Sequence, residues 1–195
     1  LIGAKCRTLP KDFAFGHLGK QWADETLDFF GEATMHEVLK SGRRMDKVLL
    51  VGGELDALAA QQMLVESQVG TKYEGVLYHV WAVPDGESSE VIKAKKELLN
   101  RFKEILLCFD ADDTGRKLTQ EVAKMFPSKA KKLTLPTGCK DPNDALMLGM
   151  QEAFVASWWQ PSGVWEGVKV KSVSAIREEL KEGLAEHNLS HVIED

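Results

Sequence analysis

The chain has 195 residues, of which 44% are hydrophobic and 28% charged, and its formal net charge is −5 at pH 7. This composition is typical of a globular protein; it excludes general disorder, and the negative charge excludes a surface that is basic all over. No apolar run reaches the roughly 20 residues that a membrane-spanning helix needs. The first residues lack the order of a secretory signal, so we expect a fragment excised from a longer protein.

The cysteines are few and far apart in the sequence. Cys6, Cys108 and Cys139 form no pair at zinc-finger spacing, so a zinc module is not expected. Widely spaced cysteines of this kind favour a reducing compartment.

Residues 1 to about 45 are irregular in pattern, and a regular alternation begins after them. Short apolar, β-branched runs predict strands at 47–51, 76–83, 105–109 and near 132–135. Segments with helical periodicity lie between them at about 54–67, from a Ser88 cap to about 102, and up to about 126. Strands that alternate with helices predict βαβ units and a parallel sheet covered on both faces.

The remainder of the chain predicts helices and a linker. The segment 140–146 is interpreted as a turn that leads into a helix, and 161–163 as a linker among tryptophans. Val173, Ile176, Leu180 and Leu184 form one apolar stripe of a last helix. The predicted fold class is therefore α/β: a small parallel sheet of about four strands flanked by helices, with an irregular N-terminal segment and a C-terminal linker helix.

Three carboxylates follow the third predicted strand within four residues: Asp110, Asp112 and Asp113. In an open parallel sheet, ligands bind beyond the carboxyl ends of the strands. At about 4 Å and an effective dielectric near 20, each like-charged pair costs a few kcal/mol, and a divalent cation relieves this repulsion. Oxygen ligands suit Mg²⁺ or Mn²⁺. The alternative is that Asp112 or Asp113 only caps the next helix.

Two motifs in these positions resemble the Toprim family. Gly52-Gly53-Glu54-Leu55-Asp56 is similar to its Glu-Gly-x-x-Asp motif, and Asp110-Ala111-Asp112-Asp113-Thr114-Gly115 to its Asp-x-Asp-x-x-Gly motif. With the segment 140–144, their order and spacing resemble the bifunctional primase-helicases of short-tailed phages and the Twinkle-like proteins of mitochondria. The resemblance implies a Toprim-like, Rossmann-like fold and metal-dependent synthesis of RNA primers on a DNA template.

The resemblance also implies roles for particular residues. Asp110 and Asp112 would bind Mg²⁺ or Mn²⁺, and Asp56 would support catalysis in the first motif. Residues expected near the nucleotide, DNA or metal are Lys140, Asp141 and Asn143. Arg116, directly after the acidic loop, is the best single candidate for a phosphate contact.

One position departs from the family pattern. The glutamate of the first motif, expected to be a metal ligand or general acid/base, is replaced by Gly52. Glu54, two residues on, either acts as a catalytic surrogate or is a solvated residue in the first turn of a helix. The sequence therefore leaves two functions open: a primase domain, weakened by Gly52, or a catalytically silent module that binds DNA or organises a Twinkle-like hexameric helicase.

The expected domain organisation follows from the same resemblance. Residues 1–45 are interpreted as a remnant of an N-terminal primase subdomain, 46–157 as the Toprim domain, and 158–195 as the linker and helix leading toward a helicase domain. The chain has no phosphate-loop motif. Expected partners are template DNA and ribonucleotides, in the cytoplasm of a bacterial or phage-infected cell or, alternatively, in the mitochondrial matrix. A Toprim nuclease, a topoisomerase fragment and a receiver-like sheet are less consistent with the motif order.

Overall fold

The computed structural model describes residues 3–5, 17–19, 28–34, 46–84 and 89–164. The chain divides into two compact units, residues 1–164 and 165–195, and all described residues belong to the first. The predicted Ser88 cap and the apolar stripe from Val173 to Leu184 lie outside the described residues. In the part of the chain that is described, no helix has the length and apolar character needed to span a bilayer.

The described elements are short and alternate along the chain. The strands are β1 (Gly3–Lys5), β2 (His17–Gly19), β3 (Lys47–Val51), β4 (His79–Ala82), β5 (Glu104–Cys108), β6 (Ala130–Lys132) and β7 (Ser162–Gly163). The helices are α1 (Glu54–Glu66), α2 (Ser89–Ala94), α3 (Lys96–Leu99), α4 (Asp113–Met125), α5 (Pro142–Met147) and α6 (Gln151–Trp159).

The main sheet has five strands in the order β4-β3-β5-β6-β7. The first four are parallel, and β7 runs antiparallel to β6. This confirms the predicted α/β class. The sheet was predicted to be parallel with about four strands, and the structure adds a fifth, antiparallel strand. The additional strand, Ser162–Gly163, comes from the segment interpreted as a linker. Within the stretch predicted to be irregular, β1 and β2 form a separate antiparallel pair.

Two apolar layers pack on opposite faces of the sheet, because successive strand residues point to opposite sides. On β3, Val48 and Leu50 belong to one core cluster, whereas Leu49 and Val51 belong to the other. All four are fully buried. A strand that is covered on both faces needs apolar residues at every buried position, which explains the continuous apolar run from Val48 to Val51.

Several details differ from the sequence prediction. The second strand, predicted at 76–83, spans only His79–Ala82. The helix expected from residue 88 to 102 is two short helices, α2 and α3, with Lys95 between them. The fourth strand begins two residues earlier than predicted, at Ala130, and the Leu133 N–H still bonds to the β5 backbone. Leu58, an apolar residue of α1, is 53% exposed.

The buried face of α1 is formed instead by Ala57, Ala60, Met63 and Leu64. The helix packs against both β4 and α5, so its buried face is turned away from Leu58. The small alanines permit this close approach of helix to sheet and to a second helix.

Candidate functional site

The first motif, the acidic loop and the segment 140–144 meet at the carboxyl edge of the sheet. The backbone N–H of Ala111 donates to the carbonyl of Lys140 at 3.1 Å. The backbone N–H of Asn143 donates to Asp56 Oδ1 at 3.3 Å. These two bonds join three segments that are far apart in the sequence, and so the predicted site residues are brought together in one place.

The acidic loop begins directly after β5 and ends in the first turn of α4. Asp112 is the N-cap of α4, and its Oδ1 accepts a hydrogen bond from the Gly115 N–H at 2.8 Å. Asp113 is exposed and pairs with Arg116 at 2.6 Å. The capping alternative therefore applies to Asp112, and the cap bond uses one oxygen of its carboxylate.

Asp110, Asp56 and Asp141 lie around the end of β5. Burial raises the pKa of the Cys108 thiol far above its usual range, and the negative charges of these three aspartates raise it further. The negative charges of all three aspartates therefore act on this end of β5. Cys108 itself is buried and belongs to the core.

In the first motif, Gly53 leaves room for the carboxylate of Asp56. Gly53 is the N-cap of α1, and a Cβ added there would lie 2.7 Å from Asp56 Oδ2. The carboxylate of Asp56 therefore occupies the space that a side chain at residue 53 would need. From there it accepts the hydrogen bond from Asn143, which links α1 to α5. Glu54 is half-buried in the first turn of α1. Its role, as a catalytic surrogate or as a solvated residue of the first turn, stays a prediction.

The segment 140–144 is held by its own carboxylates. Asp141 is the N-cap of α5, and its Oδ1 accepts from the Asp144 N–H at 2.7 Å. Asp144 Oδ2 accepts from the Lys140 N–H at 3.3 Å. The Lys140 side chain is 73% exposed, with its ammonium 4.0 Å from Asp144. Lys140 thus stands at the rim of the site as an accessible cation.

Arg116, the predicted phosphate contact, is folded back on the acidic loop. Its guanidinium donates to the Ala111 carbonyl at 3.0 Å and to Asp113. The side chain remains 62% exposed. Arg116 therefore holds the loop in place, and its positive charge is partly neutralised by Asp113.

The carboxylates at this edge are possible ligands for a divalent metal ion. Among the described residues, no three His, Cys, Asp or Glu side chains form a group that could hold a metal ion. Mg²⁺ typically keeps several waters and is bound through one or two carboxylates plus substrate phosphates. The carboxylates of Asp110 and Asp112 fit this mode in donor type and number.

Sequence reasoning did not find the two hydrogen bonds that join the loops. The Ala111–Lys140 bond is made by backbone groups and leaves no side-chain signal. For the Asp56–Asn143 bond, the sequence shows one half: the Gly53-x-x-Asp56 spacing places the aspartate over the glycine on the same turn of helix. Nothing in that spacing indicates Asn143 as the partner.

The fold and this edge define the class of protein. The family model described as Toprim-like matches residues 49–146, just over half of the chain. The chain therefore belongs to the Toprim-like family, and the resemblance found in its motifs is confirmed.

One curated relative is a phage protein. The chain is 28% identical over 141 residues to a DNA helicase/primase of Enterobacteria phage T3, an alignment that covers 71% of this chain and 23% of the phage protein. The chain thus spans less than a quarter of that relative. This similarity supports the predicted likeness to phage primase-helicases.

Solved structures share the fold. The primase fragment of the bacteriophage T7 primase-helicase is 24% identical with a TM-score of 0.61, covering 81% of this chain and 57% of that one. The zinc-binding and RNA polymerase domains of the Aquifex aeolicus primase are 18% identical with a TM-score of 0.57, covering 93% and 41%. At these identities the likeness is one of fold.

Proposed function

We propose that this chain is the Toprim domain of a primase-helicase-type replication protein and takes part in metal-dependent RNA primer synthesis on a DNA template. The observation that carries the proposal is that the first motif, the acidic loop and the segment 140–144 meet at one edge of the sheet. They are joined there by the Ala111–Lys140 and Asn143–Asp56 hydrogen bonds. The membership of the Toprim-like family and the similarity to a phage helicase/primase support it.

In this proposal Asp110 and Asp112 hold Mg²⁺ or Mn²⁺. When bound, the metal stabilises negative charge during phosphoryl transfer. Lys140 neutralises phosphate groups at the rim, and Arg116 adds to this when it turns from Asp113. Asp56, Asp141 and Asn143 keep the loops in register, and Glu54 is the acid nearest in sequence to the substituted first-motif position.

Gly52 favours a second candidate, in which the domain is catalytically silent and serves a Twinkle-like helicase as a DNA-binding or oligomerisation module. A glycine can neither bind a metal through a side chain nor transfer a proton. Gly52 is not among the described glycines with positive φ, so a glutamate there would meet no left-handed backbone strain. The Gly52→Glu change can therefore be tested without that strain.

The test is a template-dependent assay with labelled ribonucleotides on this chain, on Gly52→Glu and on Gly52→Gln. We expect little or no primer from the unmodified chain and a clear increase with Gly52→Glu, because only that variant restores a carboxylate. Gly52→Gln controls for side-chain size and is expected to stay inactive. Abundant synthesis by the unmodified chain would contradict the weakening by Gly52, and no gain with Gly52→Glu would favour the silent module.

The wider setting belongs to the proposal as well. Template DNA and ribonucleotides are the proposed partners, and a hexameric helicase domain is proposed for the parent protein. The proposed compartment is the cytoplasm of a bacterial or phage-infected cell, with the mitochondrial matrix as the alternative.

A further inference from the structure

A groove of about 480 Å³ lies between α1 and α6, at the end of α1 opposite to the candidate site. Its walls are the last turn of α1 and one face of α6, and they include Met63, Glu66, Glu152, Val155, Ala156 and Trp159. Asp56 lies ten residues before Glu66 on the same helix, a separation of about 15 Å at 1.5 Å per residue. The groove is therefore separate from the acidic edge.

The apolar part of the groove is accessible. Met63 forms buried floor, whereas Trp159 is 51% exposed. Tyr73, which is 48% exposed, places its ring 6.5 Å from the Trp159 ring. Two exposed aromatic rings side by side next to aliphatic walls are typical of surfaces that bind protein partners.

The charges along the groove indicate which kind of partner fits. Glu66 and Glu152 line the walls; Glu66 accepts a hydrogen bond from the neutral Gln62 amide at 2.8 Å. Across the described residues, neither glutamate forms an ion pair with a lysine or arginine. A cationic ligand is therefore attracted to the walls, and a polyanion is repelled by them.

Two lysines stand near the aromatic end, but they do not reverse this preference. Lys47 lies 5.7 Å from the Trp159 ring and forms an ion pair with Glu104 at 3.2 Å. Lys72 lies 5.0 Å from the Tyr73 ring. Stacking of nucleic-acid bases on these rings would bring phosphates toward the two wall glutamates, which makes single-stranded nucleic acid the weaker candidate.

We propose that this groove binds a basic amphipathic helix of a partner protein. The apolar side chains of that helix would pack on Met63, Val155 and Trp159, and its lysine or arginine side chains would face Glu66 and Glu152. This is the helix-in-groove mode of recognition, in which apolar anchors give affinity and charges select the partner. The proposal does not depend on primer synthesis, because it uses none of the residues at the carboxyl edge.

The test measures binding of labelled probes to the whole chain by fluorescence anisotropy. The main probe is a helical leucine/lysine peptide of about 15 residues, or four turns. A peptide with glutamate in place of lysine and a single-stranded oligothymidylate serve as comparison probes. Glu152→Lys is compared with Glu97→Lys, which makes the same charge change at an exposed residue outside the groove.

We expect saturable binding of the basic peptide, weakened about tenfold by Glu152→Lys and unchanged by Glu97→Lys, since a charge reversal of this kind removes an attraction and adds a repulsion. Trp159→Ala should also weaken it. Equal binding by Glu152→Lys and the unmodified chain would overturn the proposal. So would tighter binding of the oligonucleotide that is lost in Trp159→Ala, or self-association of the chain that Glu152→Lys abolishes.

Discussion

Strand β5 has acidic residues at both ends, and the partners of their carboxylates differ between the two ends. At the amino end, Glu104 lies 3.2 Å from the Lys47 ammonium and also pairs with Lys131. At the carboxyl end, Asp112 and Asp141 accept hydrogen bonds from backbone N–H groups. Among the described residues, neither of these two aspartates has an ion pair with a side chain.

We infer from this difference that Glu104 at the amino end contributes to stability, whereas the aspartates at the carboxyl end serve function. The two lysines cancel the charge of Glu104 within the molecule and fasten three neighbouring strands, β3, β5 and β6. Backbone N–H groups fix where a carboxylate points but carry only partial positive charge, so they leave most of its negative charge for an external cation. The amino edge is therefore built as a brace, whereas the carboxyl edge is the place where we propose that a cation binds.

The largest expected effect comes from breaking the brace. Glu104→Gln should lower the free energy of unfolding by about 2 kcal/mol, because the neutral amide loses the ion pairs with Lys47 and Lys131. Urea unfolding followed by circular dichroism measures the change. Glu97→Gln, at an exposed position without a described ion pair, is the matched control and should change stability little.

The same variant gives a pH test of the brace. Burial alone would raise the pKa of Glu104, but hydrogen bonds from Lys131 and Lys47 lower it below the ordinary value of 4.5. The stabilisation is therefore complete above that value and is lost as the pH falls through the lowered pKa. The stability gap between the unmodified chain and Glu104→Gln should narrow in acid, and a gap that stays constant down to low pH would contradict the assignment.

A smaller effect is expected from the glycine that makes room for Asp56. Gly53→Ala should cost about 1 kcal/mol and free the Asn143 amide for hydrogen exchange, because the new methyl group displaces the Asp56 carboxylate. A double-mutant cycle with Asp56→Ala checks the cause. If Gly53→Ala is equally costly when Asp56 is already an alanine, the contact between the two positions is not responsible.

Much of this architecture could be predicted because it depends on local patterns. The Lys47–Val51 strand is confirmed residue for residue, since burial on both faces requires a continuous apolar run. The acidic loop after β5 was found because charged residues directly after such a run are conspicuous. The helix that begins at Glu54 was predicted from the helical periodicity of its segment.

The remainder depended on tertiary contacts. Strand β7 has only two residues, Ser162 and Gly163, and pairs with β6 at the edge, so no apolar alternation marks it. The bond between Ala111 and Lys140 involves backbone atoms alone and is invisible in side-chain chemistry. The roles assigned to Glu54, Asp56, Asp110 and the other site residues stay predictions.

Titration calorimetry with Mg²⁺ tests the central claim most directly, namely that the carboxyl-edge acids are arranged to bind a divalent cation. The unmodified chain should bind Mg²⁺, Asp110→Asn should lose that binding, and Asp113→Asn should retain it because Asp113 is paired with Arg116. Thermal unfolding checks that each variant is folded. Equal binding by Asp110→Asn and the unmodified chain, or no binding by the unmodified chain, would contradict the account.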